Sequence, residues 1–245
     1  MTHNAICVIP ARYASTRLPG KPLLKLKDKP IVIWVYEAAQ KSNTFREVII
    51  ATDDLRIAKT AQKYGAKSVM TDPSHPSGSD RVWEVVKNRD YDIVVNLQGD
   101  EPFITPSILS TLTSTMYKTK EADIATPIRK AKNIQEILSK NTAKVVMDKN
   151  GYALYFSRAP IPSPKEKNTY NKENYFIHLG IYAYRKMALK RFVESTRPQI
   201  EKTESLEQLR ALWNGLTIKT VLVEYSGISI DTPEDYKNAL DFLRG

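Results

Sequence analysis

The chain has a single cysteine, Cys7, among its 245 residues. One thiol excludes an internal disulfide and fits a reducing, cytoplasmic compartment. It falls inside the first apolar run, where a core thiol is expected rather than a nucleophile. No stretch approaches the roughly 18 consecutive apolar residues of a membrane helix. The N-terminus has no charged region followed by an apolar segment, so neither membrane insertion nor a signal peptide is expected. The Gly-x-x-x-x-Gly-Lys-Ser/Thr pattern is missing, which argues against an ordinary P-loop ATPase. Internal repeats and linkers are missing too. The length then allows one large α/β domain, or one domain with a subdomain.

Acids are outnumbered, with 27 Asp and Glu against 37 Lys and Arg, a formal net charge of +10. That balance raises nucleic-acid binding as an alternative. The placement of the lysines argues against it. They are scattered over predicted helix faces and loops, and no basic patch is interleaved with aromatics. The main cluster, from Lys165-Glu166-Lys167 onward, carries acids and Asn. A diffuse lysine excess serves solubility and helps attract an anionic nucleotide. Apolar residues make up 42% of the chain, enough for a proper core.

Strand and helix patterns alternate through the first half. Apolar runs predict strands over 4–9, 47–51, 66–70 and 92–97. Helices are predicted over 30–40, 55–64, 79–88 and 106–117, with Pro30 in a first turn and Gly65 as a stop. This rhythm implies a largely parallel sheet with helices on both faces. The second half changes character. Runs 143–147 and 152–157 flank Asp148-Lys149-Asn150-Gly151, a strong hairpin signal. A strand is predicted over 178–184, a mobile surface loop over 159–174 and a helix over 205–213. A strand over 217–223 and a helix over 233–243 close the chain. The expected layout is a nucleotide-binding core from 1–130 and 215–245, with an inserted antiparallel region over 131–214.

The first strand ends in a loop with three cations, Arg12, Arg17 and Lys21. Pro10 and Pro19 stiffen its ends, and Gly20 lets backbone approach a ligand. Open α/β sheets bind ligands beyond the carboxyl ends of their strands, so the loop reads as a polyphosphate site. Three solvated surface cations are the plain alternative. Asp100 follows the most apolar strand, with Gly99 permitting a tight turn and Pro102 fixing the exit. An acid there suits Mg²⁺, which takes one or two carboxylates plus phosphate oxygens; an acid capping the helix at Pro106 is the alternative. Asp231, before a helix, suits either an N-cap or a second metal carboxylate. Glu234 and Asp235 suit the helix dipole. Around Gly78, either Ser77 or Ser79 caps a helix, or free N–H groups read a base edge or phosphate. His75 reads as a loop residue, for no second His lies nearby. Arg158 can clamp a carboxylate, and His178, Glu207 and Gln208 can bind hydroxyls. Glu207 and Arg210, three apart, could simply pair.

Taken together these runs resemble the 3-deoxy-manno-octulosonate cytidylyltransferase family. The matching segments are 9–23 (IPARYASTRLPGKPL), 51–54 (ATDD), 77–81 (SGSDR), 96–102 (NLQGDEP), 152–158 (YALYFSR), 178–182 (HLGIY), 206–210 (LEQLR) and 231–235 (DTPED). They span nearly the whole chain in the family's order. Sialate cytidylyltransferases typically place Lys-x-Ile and Lys-Asn in the first loop, and simple sugar-phosphate nucleotidyltransferases open with a Gly-rich loop. The resemblance implies a Rossmann-like, glycosyltransferase-A-like fold with a mixed, mainly parallel sheet. It implies transfer of CMP from CTP to the 2-hydroxyl of Kdo, with Mg²⁺ and release of pyrophosphate, in lipopolysaccharide biosynthesis. Arg12, Lys21, Asp100 and Asp231 match the catalytic set, and Asp100 and Asp231 match the metal ligands. Pro10, Ala11, Arg12, Lys21, Ser77, Gly78, Arg81, Gln98 and Asp100 match the nucleotide site. Arg17, Gln98, Arg158, His178, Tyr182, Glu207 and Gln208 match the sugar-acid pocket. A cytoplasmic homodimer, joined through the second half, is implied as well. Ser79 stands where a Thr is common, and Ser163-Pro164 where bulkier residues are common. An 8-amino analogue of Kdo, or a sialate-type acid, is the alternative substrate.

Overall fold

The computed structural model describes residues 4–14, 17–166 and 169–244. Ser15 and Thr16 of the opening run, and Lys167 and Asn168 of the 159–174 loop, lie outside the described residues. The chain divides into two compact units, one from Met1–Thr113 with Ser226–Gly245, the other from Ser114–Tyr225.

The first unit is built on β1 (Ala5–Ala11), whose residues are almost all buried. A short ribbon of β2 (Lys25–Leu26) and β3 (Lys29–Pro30) leads into α1 (Ile31–Lys41). Then follow β4 (Glu47–Thr52), α2 (Leu55–Lys63), β5 (Ser68–Met70), α3 (Gly78–Val86), β6 (Ile93–Asn96) and α4 (Pro106–Lys118). The strand order is β5-β4-β1-β6, and every pairing among them is parallel. Cys7 pairs with Val48 and Val95 on either side and is fully buried. Burial pushes its thiol far above the ordinary range. The thiol is a core group, as its place in the strand implies.

β1 runs past the predicted end through Pro10. Its pairing with β6 stops at Val8↔Asn96, while that with β4 continues to Ala11↔Thr52. Val8 O accepts from Leu97 N, and alternation puts Pro10 on that same side. The missing N–H of Pro10 therefore faces the place where the ladder has already ended, the one setting a strand proline tolerates.

In the second unit, β7 (Ile124–Lys130) is the central strand. After α5 (Ile134–Leu138) come the hairpin strands β8 (Lys144–Met147) and β9 (Ala153–Ser157). Then follow β10 (Phe176–His178), β11 (Tyr182–Arg185), α6 (Lys186–Glu194), α7 (Gln199–Glu204), α8 (Gln208–Trp213) and β12 (Ile218–Leu222). β10 and β11 pair antiparallel with one side of β7, and β12 pairs parallel with it. The Asn-Gly hairpin forms as predicted, with Gly151 at φ 74° and Asp148 Oδ1 accepting from Asn150 N and Tyr152 N.

Two predicted elements are broken. The strand expected over 178–184 is β10 and β11, separated by Leu179–Ile181. The break lies opposite Pro127, which has no N–H to offer; Leu179 N donates to Pro127 O, and Thr126 Oγ1 meets Leu179 O and Ile181 O. The helix expected over 205–213 begins only at Gln208, because Ser205 adopts a left-handed φ of 52° that ends α7. β7 and β12 pair with one another inside the second unit, although the expected core held 215–245 and residues up to 130.

The chain then returns to the first unit as α9 (Pro233–Phe242). Leu26, Ile31, Ile230 and Ala239 form a buried cluster with Trp34, Phe103 and Tyr236 packed against it. Phe103 and Phe242 meet edge to face at 4.8 Å. Among the described residues no helix is long and apolar enough to cross a membrane.

Candidate active site

The site lies in the first unit, at the carboxyl ends of β1 and β6, where an open parallel sheet presents its loops. A cleft of about 230 Å³ is lined by Pro10, Ala11, Arg12, Lys21, Gly78, Gln98 and Asp100. Two glycines keep it open. A Cβ on Gly78 would sit 3.3 Å from the Pro10 ring, and one on Gly99 would sit 3.1 Å from Pro10 O. The second contact is with backbone, which gives way less readily than a side chain, so Gly99 serves the close approach of the two loops. Gly20, at φ 71°, starts the single turn that carries Lys21. Its N–H closes the loop onto Tyr13 O at 2.9 Å. The Tyr13 ring packs against Gly20 and lies beneath the Arg56 guanidinium.

Lys21 joins the two acids. Its Nζ donates to Asp100 Oδ2 at 2.7 Å and to Asp231 Oδ1 at 3.0 Å. Arg17 Nη2 stands 3.3 Å from Asp231 Oδ2. The backbone fixes the pairing, since Ile230 N donates to Asp100 O at 3.0 Å. Burial raises the pKa of Asp100, and the neighbouring charge of Asp231 adds to this against the pull of Lys21. Burial also opposes ionisation of Asp231, but Lys21 and Arg17 outweigh it and hold that carboxyl below its usual range. Burial works against the charge on Lys21, and the two carboxylates overcome it, so its pKa is raised.

The capping alternative for Asp231 is settled by its neighbour. Thr232 caps α9, with Oγ1 accepting from Asp235 N while Asp235 Oδ2 accepts from Thr232 N and Asp231 N. This reciprocal box leaves the Asp231 carboxylate turned to Lys21 and Arg17. Asp100 likewise bonds Lys21. Two carboxylates meeting at one cation suit a metal that fills its remaining positions with phosphate oxygens. Among the described residues no cluster of three or more His, Cys, Asp or Glu is arranged to hold a metal alone.

On the other wall of the cleft, Arg12 Nη2 donates to His75 O and, at 3.3 Å, to Ser77 O. Ser77 is the N-cap of α3: its Oγ accepts from Asp80 N and donates to Asp80 Oδ2. The serine hydroxyl is thus taken, and Gly78 presents backbone to the cleft. Arg81 does not face the cleft in this structure. It is fully buried, donating to Asp53 Oδ2 at 2.9 Å and to Thr71 Oγ1. It ties the ends of β4 and β5 to the first turn of α3. Gln98 Nε2 donates to Asn96 Oδ1 at 3.4 Å, and Asn96 Nδ2 to Ser79 Oγ.

The second unit gathers three of the expected sugar-pocket residues. Thr126 Oγ1 gives its proton to Ile181 O, so it accepts from His178 Nε2–H at 2.9 Å. His178 Nδ1 is then an acceptor facing Gln208 Nε2 at 3.5 Å, and Gln208 Oε1 accepts from Tyr182 OH at 3.1 Å. Burial pushes His178 down to about 3 and Tyr182 well up, so both are neutral donors and acceptors near pH 7. Glu207 stands 3.9 Å from Arg210, which instead pairs with Glu201 at 2.8 and 3.0 Å. Arg158 is turned to three carbonyls, those of Glu204, Lys140 and Ser205. Sequence reasoning did not single out Asp53, Glu84, Lys144 or Glu204, whose partners are all set by tertiary structure. Asp53 carried a signal as part of a matching run, and Glu204 as the neighbour of the 206–210 run.

Parallel strands ending at a cleft beside a lysine held between two carboxylates suit a phosphorylated nucleotide and a divalent metal. Residues 6–219 match the family model described as Cytidylyltransferase. The 3-deoxy-manno-octulosonate cytidylyltransferase of Thermodesulfovibrio yellowstonii is 48% identical over 245 residues, 96% of each chain. That of Bdellovibrio bacteriovorus is 43% identical over 233 residues, 93% of each. A solved structure of CMP:2-keto-3-deoxy-manno-octonic acid synthetase complexed with CTP superposes with a TM-score of 0.92 at 40% identity, covering 98% of each chain. The chain belongs to the 3-deoxy-manno-octulosonate cytidylyltransferase family.

Proposed function

We propose that this protein transfers CMP from CTP to the 2-hydroxyl of Kdo, releasing pyrophosphate. The observation that carries the proposal is Lys21 held between Asp100 and Asp231 at the mouth of the strand-end cleft. The hydroxyl oxygen attacks the α-phosphorus, the bond to the β-phosphate oxygen breaks, and the hydroxyl proton passes to solvent. No covalent enzyme intermediate is needed, so the work is positioning and charge neutralisation.

Arg12 and Lys21 bind the triphosphate. Ala11 and Gly78, lining the cleft together, offer backbone to the cytosine. Asp100 and Asp231 would hold Mg²⁺, their convergence on one cationic group being the observation that fits it. When bound, Mg²⁺ neutralises phosphate charge and eases deprotonation of the hydroxyl. Lys21 is released from the carboxylates to reach phosphate oxygens. Within the second unit, His178, Tyr182 and Gln208, already joined to one another, serve the sugar hydroxyls. Exposed apolar side chains of the second unit, Leu154 at 62% and Trp213 at 68%, support a homodimer formed through that unit. The single buried thiol supports a cytoplasmic location.

Purified protein given CTP, Kdo and Mg²⁺ is expected to release pyrophosphate and form CMP-Kdo. Absence of release with Kdo and with close 3-deoxy sugar acids would overturn the proposal.

A further inference from the structure

The cleft wall at Arg12 is held by a residue that touches neither cation nor acid of the site. Glu84 lies on α3, facing the loop over 72–77. Its Oε2 accepts from Asp72 N at 3.0 Å and faces His75 Nε2 at 2.5 Å. A carboxylate only accepts, so Nε2 carries the proton and the ring donates. The rest of the loop is fixed around these bonds. Ser74 N and Oγ both donate to Asp72 Oδ1, at 2.8 and 2.6 Å, and Ser77 caps α3. The two loop carbonyls that receive Arg12 are those of His75 and Ser77. One end of that cradle is anchored by the helix cap and the other by Glu84. The Arg12 guanidinium, on a long stem, is thereby aimed before ligand arrives, and ordering it in advance spares that cost on binding.

We propose that Glu84 is a positioning residue for the nucleotide: it fixes His75, and through the His75 carbonyl the guanidinium of Arg12, at the edge of the CTP cleft. This rests on the reading of Arg12 as a triphosphate residue. Glu84→Gln keeps one acceptor oxygen for both donors, and Glu84→Ala keeps none. His75→Phe keeps the ring's bulk and the backbone carbonyl but removes the donor.

The test is a double-mutant cycle on steady-state kinetics with both substrates. Glu84→Ala and His75→Phe are each expected to raise the KM for CTP about tenfold, the scale of one lost hydrogen bond to a charged group, and to leave the KM for Kdo unchanged. Glu84→Gln is expected to restore most of the loss. In an Arg12→Ala background the same substitutions are expected to add little, because residues acting through one another are not additive. Equal losses in both backgrounds, or equal rises in the two KM values, would overturn the positioning role. An Arg12→Ala enzyme with an unchanged KM for CTP would instead overturn the reading of Arg12.

Discussion

Lys21 brings two acids together that would otherwise repel. Both carboxylates are partly shielded from water, where like charges are costly unless a cation stands between them. The ammonium takes that place, at 2.7 and 3.0 Å. A divalent ion arriving with a triphosphate would carry more charge to the same two acids, while the phosphates would offer Lys21 new acceptors. Under the proposed function, binding would then be an exchange of partners at these groups rather than the creation of a new pocket. Asp100→Asn tests the point, since the amide keeps shape and one acceptor but loses the charge. The variant is expected to fold, with an unchanged circular dichroism spectrum, and to lose about a hundredfold or more in kcat, the scale of one key electrostatic contact. Full activity would count against Asp100 as a metal ligand.

At the scale of elements, what was legible was whatever depends on strand ends and turn chemistry. The apolar runs located β1, β4, β5 and β6, and the strand-end rule then pointed to Arg12, Lys21 and Asp100. β7 was not legible, because Pro127 interrupts its pattern and a proline argues against a central strand. The structure accommodates it by breaking the partner strand between β10 and β11, where Pro127 keeps its carbonyl's bond from Leu179 N and no N–H is called for. The place of Arg81 is not legible from its own run, because Asp53 and Thr71, from other loops, draw it inward. Asp231 was ambiguous for a local reason. Asp231 and Thr232 are both competent caps, and only the reciprocal bonds with Asp235 assign the cap to Thr232. Thr232→Ala removes that cap and leaves Asp231 as the next acceptor in reach of the free N–H groups. Stability is expected to fall by about 1 kcal/mol, read from chemical denaturation. The kcat is expected to fall with it as Asp231 is drawn from Lys21, and Thr232→Ser is expected to retain both. An unchanged denaturation midpoint in Thr232→Ala would count against the cap.

At the scale of the whole molecule, the charge of +10 has to be weighed against the charge of the site. Arg12, Arg17 and Lys21 against Asp100 and Asp231 give three positive and two negative groups, a local balance of only +1. Long-range attraction of a triphosphate therefore has to come from the scattered lysines rather than from the cleft. Such a field acts on encounter and is screened within about 10 Å at 0.1 M salt. Once CTP is bound, the short contacts in the cleft are screened far less. Raising ionic strength is accordingly expected to lower kcat/KM for CTP several-fold while leaving kcat nearly constant. The effect on kcat/KM for Kdo is expected to be smaller, because a single carboxylate feels less of the field than a triphosphate. Steady-state kinetics across a salt series checks this. A flat response for CTP would confine the lysine excess to solubility, and equal slopes for the two substrates would place the salt effect in the protein rather than in its field.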